Sequence, residues 1–369
     1  MHIAIIRFSS MGDIILQTPW ISWIKRFFPE IKLSFITLDV FKDLVEEHPH
    51  IDKVLFIKRR KGISDIRQLH KLSKDLASIH KVDLIIDLHG TLRSQLIRFF
   101  TFSIPSLKLY KRSLLRWILV KFKWDFLKDL NSHHFRVIED FSFLFSKKAE
   151  IEKLKIFLKE QVQTKSIGLT SLPSSYKATK ASIDDEYIVI SPVASFASKR
   201  WPLENVTEFI NQFLAIEKYT SFKIIIIAGP DDDYCGNEFS DPLNNSGRII
   251  NKQGQTTLIE SIEYIKHSIL CLTNDTGAAH IAEALGVPSI SLFGATSESF
   301  GFRMHLDKSI NLSHHMSCRP CSQTGKRPCF QKSHLCMEKI TGDFVLKKLS
   351  TIVDEINNEK QNLILKDKS

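Results

Sequence analysis

The sequence predicts an α/β fold with two doubly wound parallel sheets, and three observations lead to this prediction. Short runs of β-branched and other apolar residues alternate with segments of helical periodicity. The alternation stops once, in a polar stretch near the middle of the chain, and then begins again. The length of 369 residues also exceeds what one compact hydrophobic core usually holds, so two domains are expected.

The first half of the chain contains four predicted strands. They are the nearly continuous apolar runs at residues 2–7, 32–37, 53–57 and 82–88. Between the first two, apolar side chains from Trp20 to Phe27 recur at helical spacing, which indicates an amphipathic helix. Strands that are apolar at almost every position and separated by helices are typical of a parallel sheet covered on both faces.

The second half repeats this organisation after a linker. Residues 166–186 are rich in Ser, Thr and Lys and show little periodicity, as expected of a linker. Four more strands are predicted, at residues 186–191, 223–229, 268–273 and 288–293. We therefore predict domains over residues 1–170 and 171–345, followed by a C-terminal helix and tail over 346–369. The two sheets are expected to face each other across a cleft, with ligands beyond the carboxyl ends of the strands.

Composition and charge indicate to which broad class the protein belongs. Hydrophobic residues make up 43% and charged residues 25%, which is ordinary for a globular protein. No apolar run approaches the ~18 residues of a membrane-spanning helix, and the N-terminus does not resemble a signal peptide. We therefore expect a cytoplasmic protein, in which cysteines stay reduced.

The formal charge of +10 is unevenly distributed. Residues 108–128 carry seven basic side chains and one acid, and Trp117, Phe122, Trp124 and Phe126 are interleaved with them. This composition suits a surface that faces anionic lipid, and it also suits nucleic acid. A solvated helix face that covers core aromatics is the third interpretation.

A loop that opens a helix is the first candidate site. The predicted strand that ends at Thr273 is followed by Asn274, Asp275, Thr276 and Gly277, and then by a helical pattern that contains His280. The start of a helix presents unpaired amides and a positive dipole end, so a pyrophosphate fits there. The alternative is that Asn274 or Asp275 only caps the helix and that His280 only packs.

Two further loops follow predicted strands. The loop SPVASFASKRWPLENV, residues 191–206, contains Lys199 and Arg200, and a lysine there can neutralise a leaving diphosphate. The loop RFSSMGDIIL, residues 7–16, contains Asp13, which is a candidate general base on an acceptor hydroxyl. The alternatives are an exposed basic pair in the first loop and a helix cap in the second.

Four motifs, in order, resemble the family of ADP-heptose:lipopolysaccharide heptosyltransferases. RFSSMGDIILQTPW is similar to the opening of these glycosyltransferases, and LIIDLHGTLRSQL resembles their Asp-Leu-Gln-Gly…Arg-Ser segment. SPVASFASKRWPLENV and NDTGAAHIAEALGVPSISLFGATSE resemble their Pro-Gly-Ala-Ser…Lys-Arg-Trp-Pro and Asp-Ser/Thr-Gly…His segments. The resemblance extends from Met1 to about Cys336.

The resemblance implies the GT-B fold, with two Rossmann-like domains, and sugar transfer with inversion at the anomeric carbon and no catalytic metal or other cofactor. The basic and aromatic residues 108–128 suggest peripheral association with the inner face of the cytoplasmic membrane, and no nucleic-acid partner is expected. The resemblance also implies an ADP-heptose donor and a lipopolysaccharide core acceptor. It assigns catalytic roles to Asp13 as base and to Lys199. The implied donor-binding residues are Ser195, Lys199, Asp275, Thr276, Gly277 and His280. The implied acceptor-binding residues are Ser10, Gly12, Arg93 and Ser94.

The sequence departs from the family pattern at two positions. His89 stands where Gln is usual, and Val193 replaces a Gly, so a loop that needed a positive φ there would be strained. The family's adenosine-contacting positions correspond to residues near Pro230–Asp233 and near Thr256, so the nucleotide is the least defined part of the donor.

Four of the six cysteines form a cluster in the sequence. Cys318, Cys321, Cys329 and Cys336 follow a C-x2-C-x7-C-x6-C pattern, with His residues nearby. Four thiolates can hold a structural zinc ion. Reduced thiols that pack a loop are the alternative, since the second C-x-x-C pair of common zinc ribbons is absent.

Two other functions compete with heptose transfer. A GT-B transferase or an epimerase that uses another nucleotide sugar would present the same phosphate site. A basic nucleic-acid-binding protein with a zinc site would use residues 108–128 and the cysteines, but it leaves the strand-end motifs unexplained. A nicotinamide-dependent dehydrogenase is disfavoured, because no G-x-G-x-x-G follows the first strand.

Overall fold

The computed structural model describes residues 1–109, 112–128, 185–229 and 247–366. The chain divides into two compact units. Of the described residues, the first unit contains those up to Arg112, and the second unit contains 113–128 together with everything from 185 onward. The predicted linker and the predicted boundary at residues 170 and 171 lie outside the described residues.

The first unit is built on a parallel sheet of five strands. In chain order these are β1 (His2–Ile6), β2 (Lys32–Leu38), β3 (Lys53–Ile57), β4 (Leu84–Asp87) and β5 (Ser106–Lys108). The helices are α1 (Met11–Ile15), α2 (Thr18–Phe27), α3 (Ile63–Ser78) and α4 (Leu92–Phe100), with a 3₁₀ turn over Asp39–Leu44. The strands lie in the order β3-β2-β1-β4-β5.

The second unit contains a parallel sheet of six strands. They are β6 (Tyr187–Ser191), β7 (Lys223–Ile226), β8 (Ile249–Asn251), β9 (Leu270–Asn274), β10 (Ser289–Phe293) and β11 (Ile310–Ser313), in the order β11-β10-β9-β6-β7-β8. The helices are α5 (Ser113–Phe122), α6 (Leu203–Ala215), α7 (Leu258–Lys266), α8 (Gly277–Ala284), α9 (Leu335–Glu338) and α10 (Gly342–Lys366). Short 3₁₀ turns cover Ala197–Lys199, Glu217–Tyr219 and Glu298–Phe300.

Both sheets share one topology, and this topology positions the candidate site. In each sheet the first strand of the unit lies beside the fourth, β1 beside β4 and β6 beside β9, and the strand order reverses between them. In open α/β sheets, ligands bind outside the carboxyl ends of the strands at such a switch point. The loops after these four strands contain the four motifs noted in the sequence.

The core of the second unit explains why the C-terminal helix belongs to it. Val345, Leu349 and Val353 of α10 are fully buried in the same apolar cluster as Phe209 and Phe213 of α6. The contact begins at Gly342, where a Cβ atom would lie 2.5 Å from the backbone nitrogen of Phe209. A glycine is therefore required for the close approach of the two helices. The apolar face predicted for this segment is the face that packs.

Residues 113–128 pack in the second unit, and here the sequence-based assignment to residues 1–170 is corrected. Leu119 and Leu127 are buried in a small cluster with Phe300. The ammonium of Lys123 donates to the carbonyls of Cys318 and Pro320, at 2.9 and 2.7 Å. These contacts join positions almost 200 residues apart in the chain, which local periodicity does not reveal.

All eight predicted strands are present, with ends displaced by no more than three residues. Three strands were missed, β5, β8 and β11, and all three lie at sheet edges and contain only three or four residues. Among the described residues, no helix is both long enough and apolar enough to span a bilayer.

Candidate active site

The carboxylate of Asp13 lies at the switch point of the first sheet. Asp13 is the third residue of α1, which begins directly after the loop that follows β1. Its Oδ2 accepts hydrogen bonds from the hydroxyl and the backbone N–H of Ser10, at 2.8 and 3.2 Å. The same oxygen lies 2.6 Å from Nη2 of Arg7, which is itself buried. The side chain of Asp13 remains 21% exposed, so a fixed carboxylate is still accessible from solvent.

Asp13 is thus part of a helix cap and remains available as a base. Ser10 is the N-cap residue of α1, and together the two side chains form a capping box. The sequence left capping and catalysis as alternatives for Asp13, and the geometry accommodates both. A carboxylate that is held by a helix cap and an ion pair loses little conformational entropy when a substrate binds.

The loop after β4 packs beside this carboxylate. Asp87 is fully buried, and its Oδ1 accepts hydrogen bonds from the backbone N–H groups of His89 and Gly90, at 3.0 and 2.8 Å. Arg7 donates to the carbonyl oxygen of Leu88, and the His89 ring packs edge-on against Phe8 at 5.3 Å. Arg7 therefore links the first two motifs, and His89, which departs from the family pattern, lies at their junction.

The predicted acceptor residues have different surroundings. Gly12 is buried within α1, and Ser10 is exposed at its start. Nε of Arg93 donates to Oδ2 of Asp65 at 2.8 Å, and Nη2 of Arg93 donates to the carbonyl oxygen of Arg60 at 2.7 Å. Ser94 is fully buried, and its hydroxyl closes a capping box with Thr91 at the start of α4. Contact of these four residues with an acceptor stays a prediction.

The centre of the second unit's site is a buried ion pair between two predicted residues. The ammonium of Lys199 lies 2.7 Å from Oδ2 of Asp275, and the two side chains are only 16% and 8% exposed. The hydroxyl of Thr296 donates to the same Oδ2 at 2.7 Å. Lys199 follows β6, Asp275 follows β9 and Thr296 follows β10, so the ends of three neighbouring strands converge on one carboxylate oxygen.

Asn274 fixes the spacing of the two loops that carry this ion pair. Its side chain is fully buried at the end of β9. Its Nδ2 donates to the carbonyl of Pro192 at 2.6 Å, and its Oδ1 accepts from the backbone N–H of Trp201 at 3.2 Å. Val193 is buried in the core and is not among the residues with positive φ. The glycine conformation that the family pattern suggested is therefore not used here.

The first turn of α8 supplies backbone donors beside the ion pair. Thr276 is the N-cap residue, and its hydroxyl lies 3.1 Å from the hydroxyl of Thr273. Gly277 begins the helix, and the first amides of a helix have no acceptor within it. Ser195 is exposed in the loop that leads to Lys199. A diphosphate at this position would meet amides, hydroxyls and one ammonium group.

His280 lies one turn into α8 and is buried. Its ring lies 6.1 Å from the ring of Phe302, in an edge-on orientation. On the other side, the guanidinium of Arg116 lies 5.4 Å from the centre of the Phe302 ring. Phe302 thereby connects Arg116 of the basic residues 108–128 to α8, the helix that begins at the predicted phosphate site.

The resemblance relates two positions to adenosine, and only one of them lies within the described residues. Residues 230–233 lie outside the described residues. Thr256 is buried, and its hydroxyl lies 2.8 Å from that of Ser261.

Glu283, at the other end of α8, is a buried acid that the sequence did not single out. Its Oε1 accepts hydrogen bonds from the backbone N–H groups of His305 and Leu306. Burial raises the pKa of Glu283 to about 7, against the opposing effect of these two bonds. Burial also lowers the pKa of His305 to about 4, with Arg303 and His280 acting in the same direction. Both groups are therefore neutral over much of the range between pH 4 and pH 7.

The four clustered cysteines are reduced. Burial raises the pKa of the Cys336 thiol to about 11, and the Cys321, Cys318 and Cys329 thiols act in the same direction, against Arg319. In the part of the chain that the structure describes, no group of three or more His, Cys, Asp or Glu side chains is arranged to hold a metal ion.

Three residues of the site escaped the sequence analysis, namely Arg7, Asp87 and Thr296. Asp87 carries a local signal, because an Asp at a strand end followed by a Gly often accepts hydrogen bonds from the next amides. Arg7 and Thr296 act through contacts with other parts of the chain, and no spacing rule identifies them.

Comparisons with known proteins show which family and which individual proteins the chain resembles. The family model described as glycosyltransferase family 9 (heptosyltransferase) matches residues 69–330. The chain is 28% identical to the lipopolysaccharide heptosyltransferase 1 of Campylobacter coli, over 94% of this chain and 97% of the relative.

Two solved structures are also similar. The Escherichia coli ADP-heptose lipopolysaccharide heptosyltransferase II matches 97% of this chain and 100% of its own, with a TM-score of 0.64 and 18% identity. The E. coli heptosyltransferase WaaC with ADP matches 95% of this chain and 100% of its own, with a TM-score of 0.62 and 15% identity. These similarities confirm the predicted GT-B fold class.

The buried carboxyl of Glu283 predicts a specific dependence of stability on pH. Because its pKa is raised on folding, the unfolded chain loses this proton first, and stability falls as pH rises from about 4.5 to about 7. A shift of this size corresponds to about 3 kcal/mol of free energy of unfolding. Glu283→Gln keeps an oxygen for both amides and never ionises, so we expect it to raise the melting temperature at pH 8 and to change it little at pH 4.5.

The measurement is thermal unfolding of both proteins at the two pH values. The contribution of His305 is present in both, so it cancels in the difference. An equal loss of stability at pH 4.5 and pH 8 would show that Glu283 is needed as a carboxylate.

Proposed function

The chain belongs to glycosyltransferase family 9, the heptosyltransferase family, and from this premise we propose that it transfers a heptose from ADP-heptose to the lipopolysaccharide core. The observation that carries the proposal is the position of the two candidate sites. Each lies where ligands bind in a doubly wound sheet, one with a fixed carboxylate and the other with an ammonium beside a helix N-terminus. The names of the relatives supply the sugar, the nucleotide and the acceptor.

The second unit is proposed to bind the donor. The amides that open α8 and the ammonium of Lys199 are the groups that a diphosphate requires. Negative charge develops on the diphosphate as the glycosidic bond breaks, and fixed donors in a partly buried site stabilise that charge strongly. Ser195, Asp275, Thr276, Gly277 and His280 are proposed to complete this site.

The first unit is proposed to bind the acceptor and to supply the base. Asp13 takes the proton of an acceptor hydroxyl while the oxygen forms a bond to the anomeric carbon. The bond from that carbon to the diphosphate breaks, and its electron pair leaves with ADP. Attack from the face opposite the diphosphate inverts the anomeric carbon. The reaction as written needs no catalytic metal or other cofactor, and Ser10, Gly12, Arg93 and Ser94 are the proposed acceptor residues.

A different nucleotide sugar is the nearest alternative, because the groups near Lys199 recognise a diphosphate rather than a base or a sugar. Nucleotide specificity depends in part on residues 230–233, which lie outside the described residues. A nucleic-acid-binding function is not favoured, because it leaves both strand-end sites without a role.

We also propose that residues 113–128 associate with an anionic membrane surface at the cytoplasmic side of the inner membrane. Trp117, Phe122, Trp124 and Phe126 are between 42% and 62% exposed, and successive rings lie 5.5 to 6.4 Å apart. The ammonium of Lys121 lies over the rings of Trp117 and Phe122. Exposed aromatics combined with basic side chains are typical of surfaces that bind at lipid headgroups.

The structure identifies basic side chains of this segment that are engaged in contacts within the second unit. Arg116 donates to the carbonyl of Phe300 at 3.2 Å, and Lys123 donates to carbonyls of the cysteine-rich loop, residues 318–336. A membrane contact is therefore proposed to involve Lys121, Lys128 and the aromatic side chains, which are exposed, rather than these two. The contacts of Arg116 and Lys123 also hold the segment on the second unit.

A structural metal at Cys318, Cys321, Cys329 and Cys336 is proposed as well. A set of four thiolates suits zinc, and it also suits iron. The four cysteines within residues 318–336 support the proposal, whereas the described side chains are not arranged to hold a metal ion. The metal would connect the two ends of the cysteine-rich loop, and it takes no part in the reaction proposed above.

The first prediction from the proposed function concerns the donor site. ADP and ADP-heptose are expected to raise the melting temperature of the protein, whereas UDP and GDP are not, by mass action on the folded state. Lys199→Ala removes a charge-assisted contact worth about 2 kcal/mol, so ADP affinity should fall about 30-fold. Thermal unfolding across a nucleotide titration measures both effects.

Two control variants make this result specific. Lys223→Ala also removes a lysine that is paired with a carboxylate, Asp185, but far from the loops of the site, so it should leave the ADP response intact. Asp13→Asn should keep the ADP response and lower turnover by about 10²–10⁴. Stabilisation by UDP or GDP instead of ADP would show that the donor carries a different nucleotide. Equal losses of ADP binding and turnover in Asp13→Asn would contradict the role of Asp13 as base.

The second prediction concerns the membrane. Replacing Trp124 and Phe126 by Ser should weaken binding to vesicles that contain an anionic phospholipid by about a hundredfold or more, because each of the two aromatics loses about 1.5–3 kcal/mol of apolar burial. Phe102→Ser is the matched control, since this ring is 89% exposed but lies in the first unit. Vesicle co-sedimentation that is unchanged in the double variant contradicts the proposal.

The third prediction concerns the cysteines. Elemental analysis of the purified protein should find about one zinc per chain, and Cys318→Ser with Cys321→Ser should remove it. Cys271→Ser, which changes a buried thiol in β9, should leave the metal content unchanged. Iron in place of zinc would change the metal but not the site, and a protein free of both metals would leave the thiols with a packing role.

A further inference from the structure

The cysteine-rich loop, residues 318–336, is attached to the segment that carries Lys199. The hydroxyl of Ser198, which is buried, donates to the carbonyl of Gly325 at 2.6 Å. The backbone N–H groups of Cys321 and Ser322 donate to the carbonyl of Ala295, at 3.0 and 3.2 Å. The loop therefore contacts the elements that follow both β6 and β10, which provide Lys199 and Thr296.

Gly325 lies directly against the aliphatic part of Lys199. A Cβ atom on Gly325 would lie 2.7 Å from both Cγ and Cδ of Lys199, and 3.3 Å from the hydroxyl oxygen of Ser198. The φ angle of Gly325 is +84°, a conformation that other residues rarely adopt. The backbone conformation and the available space therefore both require glycine at this position.

The contact with Gly325 restricts the conformation of the Lys199 side chain. The methylene groups lie against Gly325 at one end, and the ammonium meets Asp275 at the other, 2.7 Å away. A lysine has four rotatable bonds, and ordering them when a ligand binds costs conformational entropy. A side chain that is already ordered by packing does not lose that entropy again.

We propose that Gly325 is a positioning residue, through which the cysteine-rich loop holds the Lys199 ammonium in place for an anionic donor. The inference rests on the proposed donor role of Lys199. It adds that a residue more than 120 positions away from Lys199 in the chain influences the affinity of that site. Ser198 contributes to the same positioning, because its hydroxyl donates to the carbonyl of Gly325.

The test compares two substitutions that each place a side chain at a glycine with positive φ. The φ angles are +84° for Gly325→Ala and +64° for Gly247→Ala, but among the described residues a Cβ on Gly247 meets nothing within 4 Å. Gly325→Ala is expected to weaken ADP binding about tenfold and to lower kcat/KM for ADP-heptose about as much. Gly247→Ala should stay within about twofold of the parent protein in both quantities.

A double-mutant cycle shows whether Gly325 acts through Lys199. In the Lys199→Ala background the atoms that collide with Ala at 325 are gone, so Gly325→Ala should change ADP affinity by less than about twofold. The same cycle in melting temperature gives a readout without donor or turnover. There, Gly325→Ala should lower the melting temperature more than Gly247→Ala does, and the excess should disappear in the Lys199→Ala background.

The outcomes separate this inference from the proposed function. If Lys199→Ala leaves ADP binding unchanged, the donor role of Lys199 fails, while the melting-temperature cycle still reports on the contact. If Gly325→Ala weakens ADP binding equally with and without Lys199, or behaves like Gly247→Ala, the positioning role is overturned.

A milder variant covers the case in which Gly325→Ala does not fold. Ser198→Ala removes the bond to the Gly325 carbonyl without adding atoms. It should weaken ADP binding several-fold in the parent protein and have no further effect in the Lys199→Ala background. Equal effects in both backgrounds contradict the proposal.

Discussion

The buried amide of Asn274 is the constraint on which the candidate site of the second unit depends. Strands β6 and β9 end side by side, and the loops that follow them are joined by the hydrogen bonds of this one side chain to Pro192 and Trp201. Because a buried amide must be satisfied, these loops can occupy only a narrow range of positions. Lys199 and Asp275, which follow in the same two loops, are thereby brought within 2.7 Å.

Much of the fold could be predicted because parallel strands buried on both faces are apolar at nearly every position. Eight strands had that signal. The missed strands β5, β8 and β11 contain three or four residues at sheet edges, where a short segment has too few buried positions to show a pattern. The placement of residues 113–128 in the second unit depends on tertiary contacts such as that of Lys123 with Pro320, which no local pattern contains.

The candidate site was predictable to the extent that its residues follow strands. Asp13, Lys199 and Asp275 each stand shortly after a strand end, and the structure gives all three defined partners there. Arg7 and Thr296 were missed because their roles come from a partner in another loop. The role of Gly325 was also hidden, since a glycine in a cysteine-rich loop has many ordinary explanations. Sequence motifs thus identified groups that can do chemistry, whereas the residues that orient those groups became visible only in the folded chain.

The arrangement around Asp275 explains how a buried lysine can also serve a ligand. Burying an ion pair carries a desolvation cost, and removing one partner from such a pair typically costs about 3–5 kcal/mol, because the other charge is left alone. A diphosphate that draws the Lys199 ammonium away would impose part of this cost. Thr296 limits it, because its hydroxyl donates to the same oxygen of Asp275 and does not depend on Lys199. The ammonium would then exchange one anionic partner for another, while the carboxylate would keep the hydrogen bond from Thr296.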